Sequence, residues 1–222
     1  MKIRIAHTTV IGILLLFLVG CIEQPAKKES RVANLPYYQD ATFTPYWMAT
    51  TDPQLDTFHK ISKFELVNQL GDTITETDFD DKIYVADFFF TFCPGICPKM
   101  TANMGILQDE FANADDVLLL SHSVTPTRDS VPILKAYAED KGVIDGKWHL
   151  VTGKQKSIYK LGRLDYFVEE DLGVNKDFEE FLHTENFILV DKNRHIRGIY
   201  NGLNKASINQ LIADIYTLQS EG

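Results

Sequence analysis

Ile83-Tyr84-Val85-Ala86-Asp87-Phe88-Phe89-Phe90-Thr91-Phe92-Cys93-Pro94-Gly95-Ile96-Cys97-Pro98 decides the fold. Its first eight residues are almost continuously apolar, as in a strand buried on both faces of a parallel sheet. After Pro98, whose missing amide hydrogen costs nothing in a first helical turn, Lys99–Phe111 carries Met100, Met104, Leu107 and Phe111 at helical spacing. A strand therefore feeds a helix through two cysteines. Downstream, Val117–Val124 reads as a second buried strand, and Asp129 or Ser130 can cap a helix bearing Pro132, Ile133, Leu134 and Tyr137. Trp148–Val151 is a short third strand and Lys154–Leu164 is helical in pattern. Asn186–Val190 and Ile196–Tyr200 form a hairpin about Asp191–Arg194, and Lys205–Leu218 is a last helix. Upstream, Ile61–Asn68, the turn Gly71-Asp72 and Thr73–Thr75 predict another hairpin. The order, a β-hairpin, βαβαβα, then ββα, predicts an α/β thioredoxin-like sandwich with an N-terminal β-hairpin extension over residues 58–222.

The chain has 222 residues with 22 basic and 31 acidic side chains, a formal charge of −9, which argues against nucleic acid as a partner. Ahead of the domain, Lys2 and Arg4 precede the apolar run Val10–Val19, about the length of a secretory core segment and short for a membrane span. Leu18-Val19-Gly20-Cys21 resembles a bacterial lipobox. Residues 1–20 are accordingly expected to be a lipoprotein signal peptide and Cys21 the lipidation site, tethering the protein to the extracytoplasmic, periplasmic face of a bacterial membrane. Within residues 21–57, polar Ile22–Asn34 reads as a tether with a root-mean-square span of roughly 20 Å. Leu35–Asp56, with Tyr37, Tyr38, Phe43, Tyr46 and Trp47 among three prolines, reads as an irregular arm wrapped on the domain.

Cys93 and Cys97 form a C-x-x-x-C pair at a helix N-terminus, close enough to oxidise together or to share one metal ion. The unpaired amides there favour negative charge, so at least one thiol should ionise readily. Thiolates select soft ions such as Cu(I), Zn(II) or iron–sulfur clusters. A structural zinc or a cluster would normally demand four ligands, whereas copper tolerates fewer. An imidazole would complete a copper site, and His59, His122, His149, His183 and His195 are the candidates. His59 and His195 are expected to face solvent and His149 to pack. His122, at the C-terminal half of a strand, is a weak candidate for the surroundings of the site. His183 follows the acidic stretch Val168–Phe181 and enters the strand Asn186–Val190 by a loop that, in thioredoxin topology, faces the cysteine turn.

The segment Asp87–Pro98 resembles the "F-T-x-C-P-x-x-C-P" motif of the Sco/SenC family. Thr125-Pro126-Thr127-Arg128-Asp129-Ser130 is similar to its "D-P-x-x-D-T" segment. Trp148–Gly153 is similar to its "W-x-x-L-T-G"-like segment, and His183-Thr184 through Asp191 to its histidine segment. The resemblance covers about Lys63 to Leu218 and implies a copper-binding, redox-active protein of cytochrome c oxidase assembly. It puts the metal ligands on Cys93, Cys97 and His183, with copper as Cu(I) or Cu(II). It implies delivery to the copper-bearing subunit with its dinuclear centre, and another copper chaperone or a thiol reductase as further partners. The alternative it leaves is a thiol-disulfide reductase that keeps oxidase cysteines reduced, with Cys93 and Cys97 as the catalytic pair. Thr125 departs from the pattern, where aspartate is usual before the proline.

Overall fold

A computed structural model describes residues 29–169 and 180–221. Seven strands form one sheet: β1 (Glu65–Asn68), β2 (Thr73–Thr75), β3 (Ile83–Phe89), β4 (Val117–Ser123), β5 (Trp148–Thr152), β6 (Asn186–Val190) and β7 (Ile196–Asn201). Their order across the sheet is β2-β1-β5-β4-β3-β6-β7. The central strands β3, β4 and β5 are parallel, with Ile83 opposite Val117 and Phe89 opposite Ser123, and both edges are antiparallel hairpins. Helices α1 (Cys97–Glu110), α2 (Val131–Lys141), α3 (Gln155–Lys160) and α4 (Lys205–Glu221) complete it. This is the expected α/β thioredoxin-like architecture.

Alternation along β3 sends its apolar side chains both ways. Ile83, Val85 and Phe89 pack with Met100, Met104, Leu134, Leu211 and Ile215 of α1, α2 and α4. Tyr84, Ala86 and Phe88 pack on the other face with Phe79, Ile158, Tyr159 and Tyr166. All seven residues of β3 and of β4 are buried, as their unbroken apolar character requires.

Boundaries differ where local competition decides them. β1 is only four residues long, because the Ile61 amide donates to Arg194 O and the Phe64 amide to the Glu76 carboxylate instead of to a neighbouring strand. Helix α1 starts at Cys97, two residues before Lys99. Ser130 occupies the N-cap of α2, yet neither it nor Asp129 caps the helix with its side chain. Beyond α3 the pattern continues as a π turn, Leu161–Asp165.

The aromatic arm is ordered and wrapped on the domain. Tyr37 bridges to Tyr46, and the Tyr38 amide donates to Ile196 O, covering the edge of β7. Arg197 is buried beneath it and donates to the carbonyls of Leu35 and Pro36, to Asp191 and to Glu221. Residues 1–28, with the apolar run and Cys21, lie outside the described residues. Among the described residues no helix is long and apolar enough to cross a membrane.

Candidate metal and thiol centre

β3 ends at Phe89, and Phe90, Thr91 and Phe92 carry the chain over the sheet edge to the thiols. Asp129 fixes this crossing. Fully buried, its carboxylate accepts from the Thr91 amide (3.3 Å), the Thr91 hydroxyl (2.6 Å), the Ser123 hydroxyl (2.5 Å) and the Thr125 hydroxyl (3.0 Å). It thereby joins the ends of β3 and β4 to the loop entering α2. The Cys93 amide then donates to Phe90 O at 3.4 Å, and α1 opens at Cys97 with Pro98 in its first turn.

Both cysteines are free thiols. Cys93 is half-buried and Cys97 almost wholly buried. Burial acts to raise the Cys93 pKa, but the Cys97 thiol and the amides of Cys97, Gly95 and Ile96 hydrogen-bond its sulfur and bring the value below the ordinary thiol range. Burial and the neighbouring Cys93 push the Cys97 thiol up. The pair is thus asymmetric, with an accessible sulfur that ionises readily and an inner one that keeps its proton. The expectation of one activated thiol falls on Cys93.

Below the thiols lies a carboxylate that the motif reading passed over. Asp87 is buried, accepts a hydrogen bond from the Ser121 hydroxyl, and Ser121 in turn accepts from the Trp148 indole at 2.8 Å. Burial raises its pKa to about 7, partly offset by Ser121. Its signal in the sequence was a lone acid inside an otherwise apolar strand. Tyr137, bonded to Thr101 at 2.8 Å, completes the polar lining beneath the pair.

His183 is exposed, between buried Leu182 and Thr184. Thr184 anchors the loop through its hydroxyl to Val168 O at 2.6 Å. Phe181 meets His183 at 6.4 Å between ring centroids and packs edge-on to Phe90 at 5.5 Å, so two ring contacts link the imidazole to the chain that enters the thiol turn. The structure brings Cys93 and Cys97 together but does not assemble the full trio. Among the described residues no group of three or more histidine, cysteine, aspartate or glutamate side chains is arranged to hold a metal. Two adjacent sulfurs, one of them readily ionised, nonetheless suit a soft cation. Most of the acidic stretch, residues 170–179, lies outside the described residues.

The remaining histidines are accounted for by packing. His195 is buried, contrary to expectation, because the hairpin turn folds under the arm. Its Nδ1 lies 2.8 Å from His59 O, and Tyr37 and Phe58 pack edge-on to its ring. His59 is half-buried rather than solvent-facing, with Nε2 2.7 Å from Asp165 O. His149 packs on Phe79, as expected. His122 stacks on Phe88, on the face of β3 and β4 away from Cys97, which removes it from the surroundings of the thiols.

The sequence profile of the SCO1/SenC family matches residues 52–219. A SCO1/SenC family lipoprotein from Bacillus anthracis is 31% identical, with a TM-score of 0.63 over 72% of this chain and 95% of that one. BsSco, described as a member of the Sco family of cytochrome c oxidase assembly proteins and as having a disulfide switch, is 28% identical, with a TM-score of 0.61 over 73% and 94%. Arabidopsis thaliana ScoI with copper bound is 24% identical, with a TM-score of 0.54 over 72% and 96%, a likeness of fold. With this profile across most of its length and this fold around a paired thiol turn, the chain belongs to the SCO1/SenC family.

Proposed function

We propose that the protein takes copper as cargo between Cys93, Cys97 and His183 and delivers it to the dinuclear copper centre of cytochrome c oxidase. The observation that carries this reading is the sulfur pair itself: two free thiols in mutual contact at the start of α1, with amides directed at the outer one. Cys93, the accessible sulfur and the one whose pKa is lowered, would meet the ion first. Cys97 would lose its proton on binding, which makes uptake pH-dependent. His183 would close the set by movement of its loop. Oxidation of the two sulfurs to a disulfide would remove both soft donors and release the ion. The family membership and the copper-bound relative of like fold support this reading.

An anaerobic titration of the reduced full chain in detergent tests it, beside Cys93→Ser and His183→Ala. One tightly held copper per chain is expected, lost in Cys93→Ser and weakened at least tenfold in His183→Ala. Unchanged affinity in His183→Ala would remove that residue from the site. The asymmetry of the thiols also favours a second reading, a reductase in which Cys93 attacks a partner disulfide and Cys97 resolves it. That chemistry would survive in His183→Ala. Tethering through a lipid on Cys21 belongs to the same proposal, and Cys21→Ala is expected to move the protein from the membrane to the soluble fraction. Its retention in the membrane would point to the apolar run as an uncleaved anchor.

A further inference from the structure

The rim of the thiol turn carries an exposed platform that metal binding does not use. Phe92, next to Cys93, is 56% exposed and places an aromatic ring at the lip of the turn. The Arg128 guanidinium lies over that ring, 4.9 Å from its centroid. Both are held from below. Thr91 precedes Phe92 and Asp129 follows Arg128, and these two share the hydrogen bonds that tie the crossing together. The Arg128 amide also donates to Thr125 O at 2.9 Å. Lys99 is exposed in the first turn of α1, on the other side of the cysteines in the chain. Among the described residues no carboxylate forms an ion pair with Lys99 or Arg128.

We infer that Phe92, Arg128 and Lys99 form a docking face for a partner segment in which acidic residues flank the cysteines. This deepens the proposed function and rests on it for the partner's thiols. The argument is charge complementarity. The chain as a whole carries −9, so an acidic partner is repelled by the protein at large. These two cations, without an ion pair among the described residues, would attract it to this rim and set its register, a role in which interfacial charges act chiefly on specificity and encounter. Phenylalanine and arginine are also both enriched in protein–protein interfaces relative to the rest of the surface. The ring supplies desolvated area, the guanidinium a forked donor for a carboxylate, and Cys93 lies beside them.

The test uses the reduced full chain in detergent and fluorescent peptides in which serines replace the two partner cysteines, so that binding is read without sulfur chemistry. Three peptides differ only in the flanking residues: Asp and Glu, Asn and Gln, or Lys. The acidic peptide is expected to bind about tenfold more tightly than its amide twin at low salt, and the advantage should shrink at high salt. Arg128→Glu and Lys99→Glu should each reduce that advantage, and Phe92→Ala should weaken the acidic and amide peptides alike. Equal affinities for acidic and amide peptides, no binding of the acidic one, preference for the lysine peptide, or an Arg128→Glu variant with the preference intact would each overturn the inference. The copper titration reads the metal site independently. Loss of copper binding with acidic-peptide binding retained defeats the metal reading and leaves the docking face standing, and the reverse result defeats the docking face alone.

Discussion

Asp129 shows how much one side chain can decide near the thiols. Its carboxylate accepts four hydrogen bonds from three segments, and none of its surface reaches solvent. Thr125, the departure from the family's pattern, contributes one of those donors, which a second carboxylate at that position could not do when ionised. Truncation in Asp129→Ala would leave the Thr91 amide and three hydroxyls without their acceptor. The expected cost is on the order of 3 kcal/mol, read as a lower denaturation midpoint at unchanged slope, together with faster alkylation of Cys97 as the turn loosens. Wild-type stability in that variant would show that solvent or neighbours replace the carboxylate. The same residue marks where sequence alone stops. The motif reading placed Asp129 as a possible helix cap, a local role, whereas its actual partners lie in the turn after β3, at the last residue of β4 and in the loop beyond it, and come together only through the fold. His195 illustrates the same limit. A histidine beside a hairpin turn looks exposed until residues more than 130 positions away in sequence close over it, Tyr37 of the arm and Phe58 against its ring and His59 O as its hydrogen-bond partner. The closeness of Cys93 and Cys97 was legible because it depends on spacing and on the helix start, both local.

Strands and helices were legible wherever burial imposes a period, and β3 and β4 are the clearest instances, seven buried residues each. One element that escaped this reading is the π turn Leu161–Asp165, since its apolar spacing continues that of α3 while its hydrogen bonds widen, with the Tyr166 amide donating to Leu161 O at 2.8 Å. It matters for the site through Gly162. A Cβ there would stand 2.7 Å from Leu182 Cδ2 and 3.0 Å from Phe88 Cε1, so only glycine lets the turn approach the residue preceding His183 so closely. Gly162→Ala should therefore push Leu182 outward and carry the His183 loop with it, at about 1–3 kcal/mol of stability. Copper affinity is expected to fall in this variant while disulfide exchange by Cys93 and Cys97 stays near wild type, since the cysteines pack with the core on one face of the sheet and Leu161 and Leu182 with the core on the other. Parallel losses of both activities would mean that the strain spreads through Phe88 into β3 instead.

At the scale of the molecule, the two poles of the sheet divide the work. The thiol turn lies beyond the C-terminal end of β3. The arm is pinned at the opposite end, where the turn between β6 and β7 lies beside the start of β3 and where Arg197 bonds to Leu35, Pro36, Asp191 and Glu221. A chain arriving from Cys21 thus joins the domain at the pole farthest from the site. Within the sheet that links the poles, β3 and β4 bury two titratable groups of opposite character, Asp87 on one face and His122 on the other. Burial depresses the His122 pKa from 6.5 to about 4, so between those values the unfolded chain holds a proton that the folded chain lacks, and stability rises with pH. Burial raises the Asp87 pKa from 3.8 to about 7, so over nearly the same window the folded chain holds the extra proton, and stability falls with pH. Each slope amounts to about 1.4 kcal/mol per pH unit when fully engaged, and the two oppose one another. Wild-type protein should accordingly lack a net slope from this pair between about pH 4.5 and 6. Denaturation of Asp87→Asn across that interval should uncover a rise in stability with pH relative to wild type, and His122→Phe a fall. A profile of the same shape in all three proteins would show that neither group is held in its uncharged form by the fold. Because each slope is compared with wild type, the result does not depend on how far either substitution destabilises the protein overall.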